Sequence, residues 1–321
     1  MPVPASRRHL LPDLALLGIA AVWGGSYLAT QQLATTLGVT AVLCARFLPA
    51  ALVLGAIVLG RRGPNLRRSL RAGSVLGGLR AATIVLETVG VTMTSATNAG
   101  LIIGLSILLT PVLESWATGR RLTPGLIGSV LLALGGIALL VGGDGFASVN
   151  PGDALILVAA ITRATLGVAE AKAARAPGAD LLGLTTVEIA LGAALFTAVG
   201  GAPLLARLPE FTAAMWVLVA FLALGCTVFA FVGQLWATSR TSASRAGLML
   251  GSEPGWVLII GVVIGGERIG PLGWIGAAVL LVAMVWGRRA ELHWRLPDPA
   301  ESTQKDPSAA RKRPFGYSRR A

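Results

Sequence analysis

Charged side chains inside long apolar segments are the residues of this sequence that could do chemistry. Arg46, Glu87, Arg163, Glu188 and Glu253 each lie in such a segment. On insertion scales, a charge at the centre of a membrane helix costs about 2.5 to 3.5 kcal/mol. Each of these side chains therefore requires a partner, contact with water, or a function. A buried arginine is suited to bind an anionic group, and a buried glutamate is suited to carry a proton.

Arg46 and Glu87 are predicted to lie within reach of each other. Arg46 is seven residues from the start of the apolar segment 39–60, and Glu87 is five residues from the end of the segment 73–92. At a rise of about 1.5 Å per residue, these positions have similar depths in two antiparallel helices. We expect an ion pair between them, which either contributes to substrate binding or only fixes the packing of the two helices.

The other deep charges are Arg163, Glu188 and Glu253. Arg163 lies near the middle of its segment. It either faces a central cavity and attracts an anionic substrate group, or is neutralised by a neighbouring helix. Removal from water favours the uncharged form of a carboxyl group, so Glu188 and Glu253 are candidates for proton coupling. The alternative is that these two acids pair with Arg80 or Arg163.

Aromatic residues and prolines complete the candidate site. Trp23, Tyr27, Gln31 and Trp236 are expected to line the cavity with stacking and hydrogen-bonding groups. A proline inside a helix removes a backbone hydrogen bond, and the resulting kink either acts as a gate or belongs to a static bundle. Three prolines fall inside apolar segments and are candidate gating positions: Pro49, Pro111 and Pro254.

Three further acids are expected to be structural. Glu114 and Glu170 lie near segment ends, where they can reach interfacial water or the basic residues Arg120 and Lys172. Glu267 lies in a loop between two apolar segments and is expected to cap or brace that turn.

The composition is that of a membrane protein. Of 321 residues, 54% are hydrophobic and 13% are charged, and the mean hydropathy is +0.74. These values are far more apolar than those of soluble domains. We predict an all-α integral membrane protein with ten transmembrane helices of about 20 residues each. The ten segments are 14–33, 39–60, 73–92, 97–117, 123–142, 153–172, 181–200, 213–236, 246–265 and 271–288.

Several other protein classes are disfavoured. The net charge of +12 arises in loops and in the C-terminal tail, so no nucleic-acid partner is expected. Cys44, Cys226, His9 and His293 do not form the spacing of a metal or haem site, so no metal or cofactor is expected. The sequence also lacks nucleotide-binding loops and hydrolase motifs, which argues against an enzyme.

The apolar segments form a duplicated unit. Residues 95–101 and 242–248 are identical at five of seven positions. The spacing from Gly100 to Gly119 equals the spacing from Gly247 to Gly266. Matches that persist at one offset indicate an internal repeat.

Basic residues predict the orientation of the two copies. If the N-terminus is cytoplasmic, the inner segments contain 22 Lys and Arg residues and the outer segments contain two, as the positive-inside rule requires. Both termini are therefore expected in the cytoplasm. Because each unit has five helices, the second copy is inverted relative to the first. The predicted divisions are a cytoplasmic segment 1–11, a first repeat 12–142, an extracytoplasmic linker 143–152, a second repeat 153–288 and a disordered basic cytoplasmic tail 289–321.

Four short motifs occur in an order typical of one family. They are Trp23-Gly-Gly-Ser-Tyr27, Arg46-Phe47, Ser95-Ala-Thr-Asn-Ala99 and Gly266-Glu-Arg268. Together they resemble the EamA-type branch of the drug/metabolite transporter superfamily. The resemblance implies ten helices in two inverted halves, internal termini, and export or uptake of small metabolites, amino acids or drugs, often coupled to ion or exchange gradients. The sequence departs from the family at Arg120, where the family often has Glu.

We therefore expect a multi-pass secondary transporter in the cell membrane, which exports small metabolites, amino acids or drugs by alternating access through a cavity near the bilayer midplane. The expected partners are a small-molecule substrate and the lipid bilayer, with possible coupling to protons or sodium. One alternative is a membrane-embedded enzyme or lipid-handling protein, which would need reactive side chains gathered at one depth. The other is a nontransporting scaffold, which predicts that all intramembrane charges pair and leave no polar cavity.

Overall fold

All regular secondary structure is helical in the described part of the chain. The structure is a computed structural model that describes residues 5–61, 66–119, 121–142, 150–238, 240 and 243–295. The helices are α1 (Ala5–Leu37), α2 (Val39–Leu59), α3 (Leu66–Met93), α4 (Ala96–Ile103), α5 (Ser106–Thr118), α6 (Pro124–Val141), α7 (Pro151–Ala174), α8 (Leu181–Arg207), α9 (Ala213–Ala220), α10 (Ala230–Thr238), α11 (Ala243–Leu250), α12 (Glu253–Val263) and α13 (Pro271–Arg295). A 3₁₀ turn (Leu208–Glu210) follows α8, and a π-helix (Phe221–Phe229) joins α9 to α10.

Nine of the ten predicted segments coincide with helices long and apolar enough to cross a membrane, within the described residues. The exception is the segment 246–265, because it is divided between α11 and α12. A turn at Gly251 and Ser252 separates these helices, and α12 has only 11 residues. The segment 97–117 is also interrupted, near Gly104, but α4 and α5 together still form one 23-residue candidate span. Each interrupted segment begins within one copy of the repeated sequence motif.

Polar residues begin several of the helices. At five N-termini a side-chain oxygen accepts a hydrogen bond from a backbone N–H of the first turn, and the residues are Ser95, Thr123, Asn150, Asp180 and Thr212. These N–H groups have no partner within their own helix. Gly119 ends α5 with φ 67°, in the left-handed region that favours glycine.

A close helix crossing joins α6 to α13. A Cβ at Gly136 would lie 2.8 Å from the backbone nitrogen of Leu280 and 2.9 Å from the carbonyl oxygen of Gly276. Backbone atoms cannot move aside as flexible side chains do, so this approach requires glycine. The outward faces of both helices expose apolar side chains such as Leu131 and Ile275, as expected for contact with lipid.

The close contacts also give the relative directions of the helices. The pairs α2 and α8, α3 and α7, and α6 and α13 are antiparallel, whereas α1 runs parallel to α12 and α3 runs parallel to α8. In the second of these parallel pairs, Gly73 meets Val187 and Gly77 meets Glu188. Helix α3 therefore contacts both α7 and α8, which carry Arg163, Glu170 and Glu188.

The π-helix lies next to α1 and α2. The hydroxyl of Thr227 donates to the carbonyl of Leu222, five residues earlier, at 2.9 Å. In the same segment, the indole N–H of Trp23 donates to the carbonyl of Cys226 at 2.9 Å. Such segments open the regular hydrogen-bond pattern and occur often at functional sites.

The ends of the helices differ from the predicted segment boundaries. Helix α1 already begins at Ala5, within the predicted segment 1–11, and α13 continues to Arg295, seven residues into the predicted tail. Residues 143–149 of the predicted linker, 296–321 of the tail, Arg120, and Ser242 of the second repeat motif lie outside the described residues.

Candidate functional site

A central cavity of about 460 Å³ contains most of the predicted site residues. Its walls come from α1, α2, α3, α5, α7, α10, α11, α12, α13 and the π-helix. The lining residues that carry charge are Arg46, Arg80, Glu87, Arg163, Glu170, Glu253, Arg288 and Glu291. The remaining polar and aromatic lining residues include Trp23, Ser26, Tyr27, Thr83, Ser106, Thr110, Phe231 and Gln234. The cavity thus gathers ionisable side chains from several membrane-spanning helices.

Arg163 is the centre of a network that joins three helices. One of its terminal nitrogens, Nη1, donates to the hydroxyl of Tyr27 at 2.8 Å, and the other, Nη2, donates to both carboxylate oxygens of Glu253 at 3.2 and 3.1 Å. Tyr27 in turn donates to Glu253 at 3.2 Å. Arg163 therefore lines the cavity and is neutralised by a neighbouring helix, as the second alternative expected.

The predicted ion pair between Arg46 and Glu87 is not formed among the described residues. The carboxylate of Glu87 instead lies 3.9 Å from Nη1 of Arg163. The Nε of Arg46 donates to the hydroxyl of Thr227 in the π-helix at 3.4 Å. The physical reason is that α7 brings Arg163 against Glu87, and depth along the chain does not specify which helix faces which.

Arg80 is the centre of a second network, which joins α3, α7 and α8. Its Nε donates to Glu188 at 2.8 Å, and its Nη2 donates to Glu170. The Arg80 guanidinium also lies over the ring of Phe231, 4.7 Å from the centroid. Glu188 is 99% buried, with only 1% of its side chain exposed. The proposed pairing of Glu188 with Arg80 is thus formed, and one guanidinium serves two carboxylates.

Glu170 was expected to be structural, and the structure places it in the cavity wall. Sequence reasoning assigned it to interfacial water or Lys172 because it is near the end of α7. Helical side chains tilt towards the helix N-terminus, which here carries Glu170 back towards Arg80. Glu114, by contrast, pairs with Arg175 at 3.2 Å and lies away from the cavity.

The aromatic candidates separate into two groups. Trp23 and Tyr27 line the cavity. Trp236 does not line it: it packs near Leu16 and Ala246, with Arg240 over its ring at 4.7 Å. In its place Phe231 and Gln234 of α10 line the cavity, because the wider turn of the preceding π-helix changes which face of α10 is presented.

The three prolines have different surroundings. Pro49 lies inside α2 and Pro111 lies inside α5, where Pro111 also lines the cavity. Pro254 is not inside a continuous helix, since it occupies the first turn of α12. A proline in that position removes no intrahelical hydrogen bond, so the kink predicted there is replaced by the break between α11 and α12.

A smaller cavity of about 250 Å³ adjoins the central one. It is lined from α3, α7, α8 and α10, and it shares Arg80, Glu170, Phe231 and Gln234 with the central cavity. Glu188, with Leu181 and Leu184, lines only the smaller cavity. The Arg80 network therefore forms the partition between the two cavities.

One end of the bundle, where α3 connects to α4 and α12 connects towards α13, is closed by hydrogen bonds to the backbone. Both carboxylate oxygens of Glu267 accept from N–H groups at the start of α4, from Ala96 at 2.7 Å and from Thr97 at 2.9 Å. Gln31, which was expected to line the central cavity, does not line it; its amide donates to the carbonyls of Val91 and Thr94 at 3.1 and 2.7 Å. We call this the closed end. Glu267 thus caps a different helix rather than its own turn.

The cavity extends towards the opposite end, which we call the open end. Arg288 and Glu291 line it there, near the C-terminus of α13. Glycines at 247 and 251 leave room for the Arg288 guanidinium beside α11. Within the described residues, no group of three or more His, Cys, Asp or Glu side chains is placed to hold a metal ion.

Sequence reasoning missed several cavity residues besides Glu170. Arg80 was considered only as a partner, although its depth in α3 matches that of the other intramembrane charges. Ser106, Gln234 and Arg288 also line the cavity. Glu87 and Glu253 were already candidates, and the equivalent positions of the other repeat, 147 residues away, are Gln234 and Ser106. Applying the repeat offset to the two glutamates would therefore have identified both residues.

Comparisons with known proteins agree with these observations. The profile of the EamA-like transporter family matches twice, at residues 10–142 and 150–286. A protein of Archaeoglobus fulgidus described as an uncharacterized transporter is 25% identical over 282 residues, which is 87% of this chain and 86% of that protein. A solved crystal structure has a TM-score of 0.60 at 19% identity and covers 89% of this chain and 99% of its own. At that identity the likeness applies to the fold alone.

Apolar spanning helices, a polar central cavity and two successive family matches lead to one conclusion. The chain is a multi-pass membrane protein that belongs to the EamA-like transporter family.

Proposed function

We propose that this protein is a secondary transporter that exports a small metabolite by alternating access, with the central cavity as its substrate site. The observation that carries the proposal is the group of charged side chains around a cavity in the middle of the bundle. Intramembrane ionisable groups are expensive and are typical of substrate and ion pathways. The volume of about 460 Å³ is within the range of small-molecule sites.

The ten-helix inverted repeat belongs to this proposal. Helices α11 and α12 together form the ninth crossing, which brings the total to ten, and α1 to α6 correspond to α7 to α13. Under this correspondence, the packing of α1 against α12 is the counterpart of α7 against α5, and α1 against α11 is the counterpart of α7 against α4; all four contacts are present. The parallel and antiparallel pairs also agree with strict alternation of direction through ten crossings.

The orientation in the cell membrane is proposed from the charge distribution. The 22 basic residues of the predicted inner segments favour a cytoplasmic location for both termini, and therefore for the open end. A cavity reached from the cytoplasm is in the state that accepts an export substrate. The exposed Trp116, Trp216, Trp274 and Trp286 suit a bilayer with an interfacial aromatic belt.

Proton coupling is proposed at the glutamates of the two arginine networks. Arg80 contacts Glu170 and Glu188, and Arg163 contacts Glu253 with Glu87 at a longer distance. In each network two carboxylates face one guanidinium. One proton bound to a carboxylate would therefore leave the network without net charge. Sodium would instead need several oxygen ligands that are free of the arginines, which favours the proton of the two ions.

The alternative functions are less well supported. A nontransporting scaffold has no use for a polar cavity, and the observed cavity contains Arg46, which has no acidic partner among the described residues. An enzyme requires a nucleophile close to a base. The carboxylates nearest the cavity centre contact Arg80 and Arg163, an arrangement suited to binding and to changes of packing.

Transport by purified protein in liposomes tests the proposal. A metabolite panel is loaded inside or outside the vesicles, and flux is measured under an imposed proton gradient, sodium gradient or neither. We expect saturable flux of at least one solute, driven by the proton gradient and reduced in Glu188→Gln. If no solute moves under any gradient, the transporter proposal fails. If flux follows sodium alone, the proton assignment fails.

A further inference from the structure

Arg46 differs in its partners from Arg80 and Arg163, the two arginines near the middle of α3 and α7. Arg80 and Arg163 each hydrogen-bond to a carboxylate. Arg46 forms an ion pair with no acid in the part of the chain that the structure describes, although it lines the same cavity. Its described contacts are instead the hydroxyl of Thr227 and the ring of Phe47, whose centroid lies 5.9 Å from the guanidinium carbon.

The hydrogen-bonding capacity of Arg46 is mostly unused by the protein. A guanidinium has five N–H donors. The Nε of Arg46 donates to Thr227 at 3.4 Å, which orients the side chain from the π-helix. The two terminal nitrogens have no described protein acceptor, and together they form the planar fork that binds a carboxylate or a phosphate through two parallel hydrogen bonds.

The titratable groups next to Arg46 do not occupy its two terminal nitrogens as a bound anion would. The titratable groups around Arg46 are Glu87 from α3 and Cys226 from the π-helix. Glu87 lies beside Arg163. Cys226 contributes a carbonyl to Trp23, and its thiol carries no charge that could balance Arg46. Glu87, Glu170, Glu188 and Glu253 thus form their ion pairs with Arg80 or Arg163, whereas Arg46 forms none in the described part of the chain.

We propose that the substrate carries an anionic group, a carboxylate or a phosphate, and that Arg46 binds this group in a bidentate manner. The proposal rests on the substrate site proposed above and defines its chemistry. It moves anion binding from Arg163, the position favoured by the sequence, to Arg46, because Arg163 is occupied by Glu253 and Tyr27. Thr227 is the positioning residue that holds the guanidinium.

The aromatic lining of the cavity also indicates what the rest of the substrate contacts. Trp23 and Phe231 line the cavity, with ring centroids 5.9 Å apart. The guanidinium of Arg80 covers a face of Phe231, so the indole of Trp23 is the main surface for an apolar or planar group. An anion attached to such a group therefore matches this cavity better than a small inorganic ion, which would make no contact with the indole.

Ligand binding to the full-length protein in detergent tests the proposal without requiring transport. Binding is measured by isothermal titration at constant ionic strength with benzoate, 1-naphthoate and phenyl phosphate, and with benzamide as the uncharged counterpart. We expect an anion to bind and benzamide to bind at least tenfold more weakly. Arg46→Gln should raise the Kd for the anion about tenfold to hundredfold, the effect of losing a bidentate charged contact. The carboxylate and phosphate arms identify the preferred anion.

Two variants serve as controls. Arg121→Gln removes the same charge at an exposed position outside the cavity and should bind as the wild type does. Arg46→Lys retains the charge without the fork and should give an intermediate Kd, which keeps the test informative if the glutamine variant unfolds. Unchanged affinity in both Arg46 variants, equal binding of benzamide, or no binding of any anion to the wild type would overturn the proposal.

The binding and transport experiments fail independently. Flux of an uncharged or cationic solute with no anion binding would leave the transporter proposal standing and remove the anion site. Arg46-dependent anion binding without flux under any gradient would leave the site standing and remove the transporter proposal.

Discussion

The two interrupted segments contribute very different contacts at the two ends of the bundle. At the closed end α4 packs against α12: Val257 fills the space opposite Gly100, and Thr97 lies against Gly261. Towards the open end, Ile107 of α5 and Leu250 of α11 line the cavity instead. In the proposed inverted repeat, α5 is the counterpart of α12 and α11 is the counterpart of α4. The pair α4 and α12 is thus in contact at the closed end, whereas its counterpart, the pair α11 and α5, is separated by the cavity at the open end.

Under the proposed alternating-access mechanism, this difference teaches that the second transport state needs no new structure. Exchanging the two arrangements would close the open end and open the closed one, as alternating access requires. The exchange is not perfectly symmetric, however. The counterpart of Glu267 is Arg120, 147 residues earlier, and a guanidinium cannot accept hydrogen bonds from helix N–H groups. The open end must therefore close with other contacts than those of Glu267.

A disulfide between α4 and α12 should have the largest effect. A Cβ at Gly261 would lie 3.3 Å from the Cβ of Thr97, close to the separation in disulfides. In a background with Cys44 and Cys226 replaced by alanine, Thr97→Cys with Gly261→Cys should crosslink on oxidation and lose essentially all flux. Reduction should restore the flux of the same vesicles. Full transport by the crosslinked protein would show that the closed end does not open.

A second cysteine pair at the open end provides the control. Ile107→Cys with Leu250→Cys should crosslink more slowly than the closed-end pair, because the cavity separates these positions in the present state. Adding a transported solute should speed the reaction. Equal rates for the two pairs, measured by mass spectrometry, would contradict the proposed asymmetry.

Glu253→Gln should have the next largest effect, because Glu253 begins α12 and holds it to α7 and α1. The change removes charged hydrogen bonds to Arg163 and should lower the free energy of unfolding by about 1.5 to 3 kcal/mol. Chemical denaturation in detergent measures this loss. Glu114→Gln, which removes a partner of the exposed Arg175, is the matched control and should cost less than about 1 kcal/mol.

Glu267→Gln should weaken the closed end by about 1 to 2 kcal/mol, the range of a lost helix cap with its charge. That corresponds to about a tenfold shift towards opening. The measurement is the alkylation rate of a single cysteine at position 97, which should rise. If the alkylation rate equals that of the protein that retains Glu267, the hydrogen bonds from the N–H groups of Ala96 and Thr97 to Glu267 do not hold α4 in place.

Tyr27→Phe should have the smallest effect. The phenolic hydroxyl links Arg163 to Glu253, but these two residues also contact each other directly. A loss of about 1 kcal/mol of stability is expected, measured by denaturation beside Glu253→Gln. A loss larger than that of Glu253→Gln would place the centre of the network at the tyrosine.

The sequence was sufficient to predict most of the membrane-spanning helices, but not which helices pack against each other. Nine predicted segments coincide with spanning helices because about 20 consecutive apolar residues have few other uses in a protein. The family resemblance was confirmed by the family match. The Arg46 and Glu87 ion pair was wrong, because depth along a helix contains no information about the helix that packs against it.

Local geometry explains the remaining differences within the site. Trp236 was expected in the cavity, but the π-helix at Phe221–Phe229 adds a residue to the turn and changes the face of α10. The tilt of helical side chains brought Glu170 into the Arg80 network although its backbone lies near the helix end. Neither the changed face of α10 nor the direction of the Glu170 side chain can be predicted by assuming a regular 3.6-residue helix period.

The crossing of α6 and α13 has a consequence for natural variation. Gly136 does no chemistry, yet even a single methyl group there would meet the backbone of Leu280 and Gly276 at 2.8 and 2.9 Å. We therefore expect relatives to retain glycine at this position as strictly as they retain cavity residues. Its invariance would reflect the shape of a helix crossing, so ranking positions by conservation alone would mistake a packing requirement for a substrate contact.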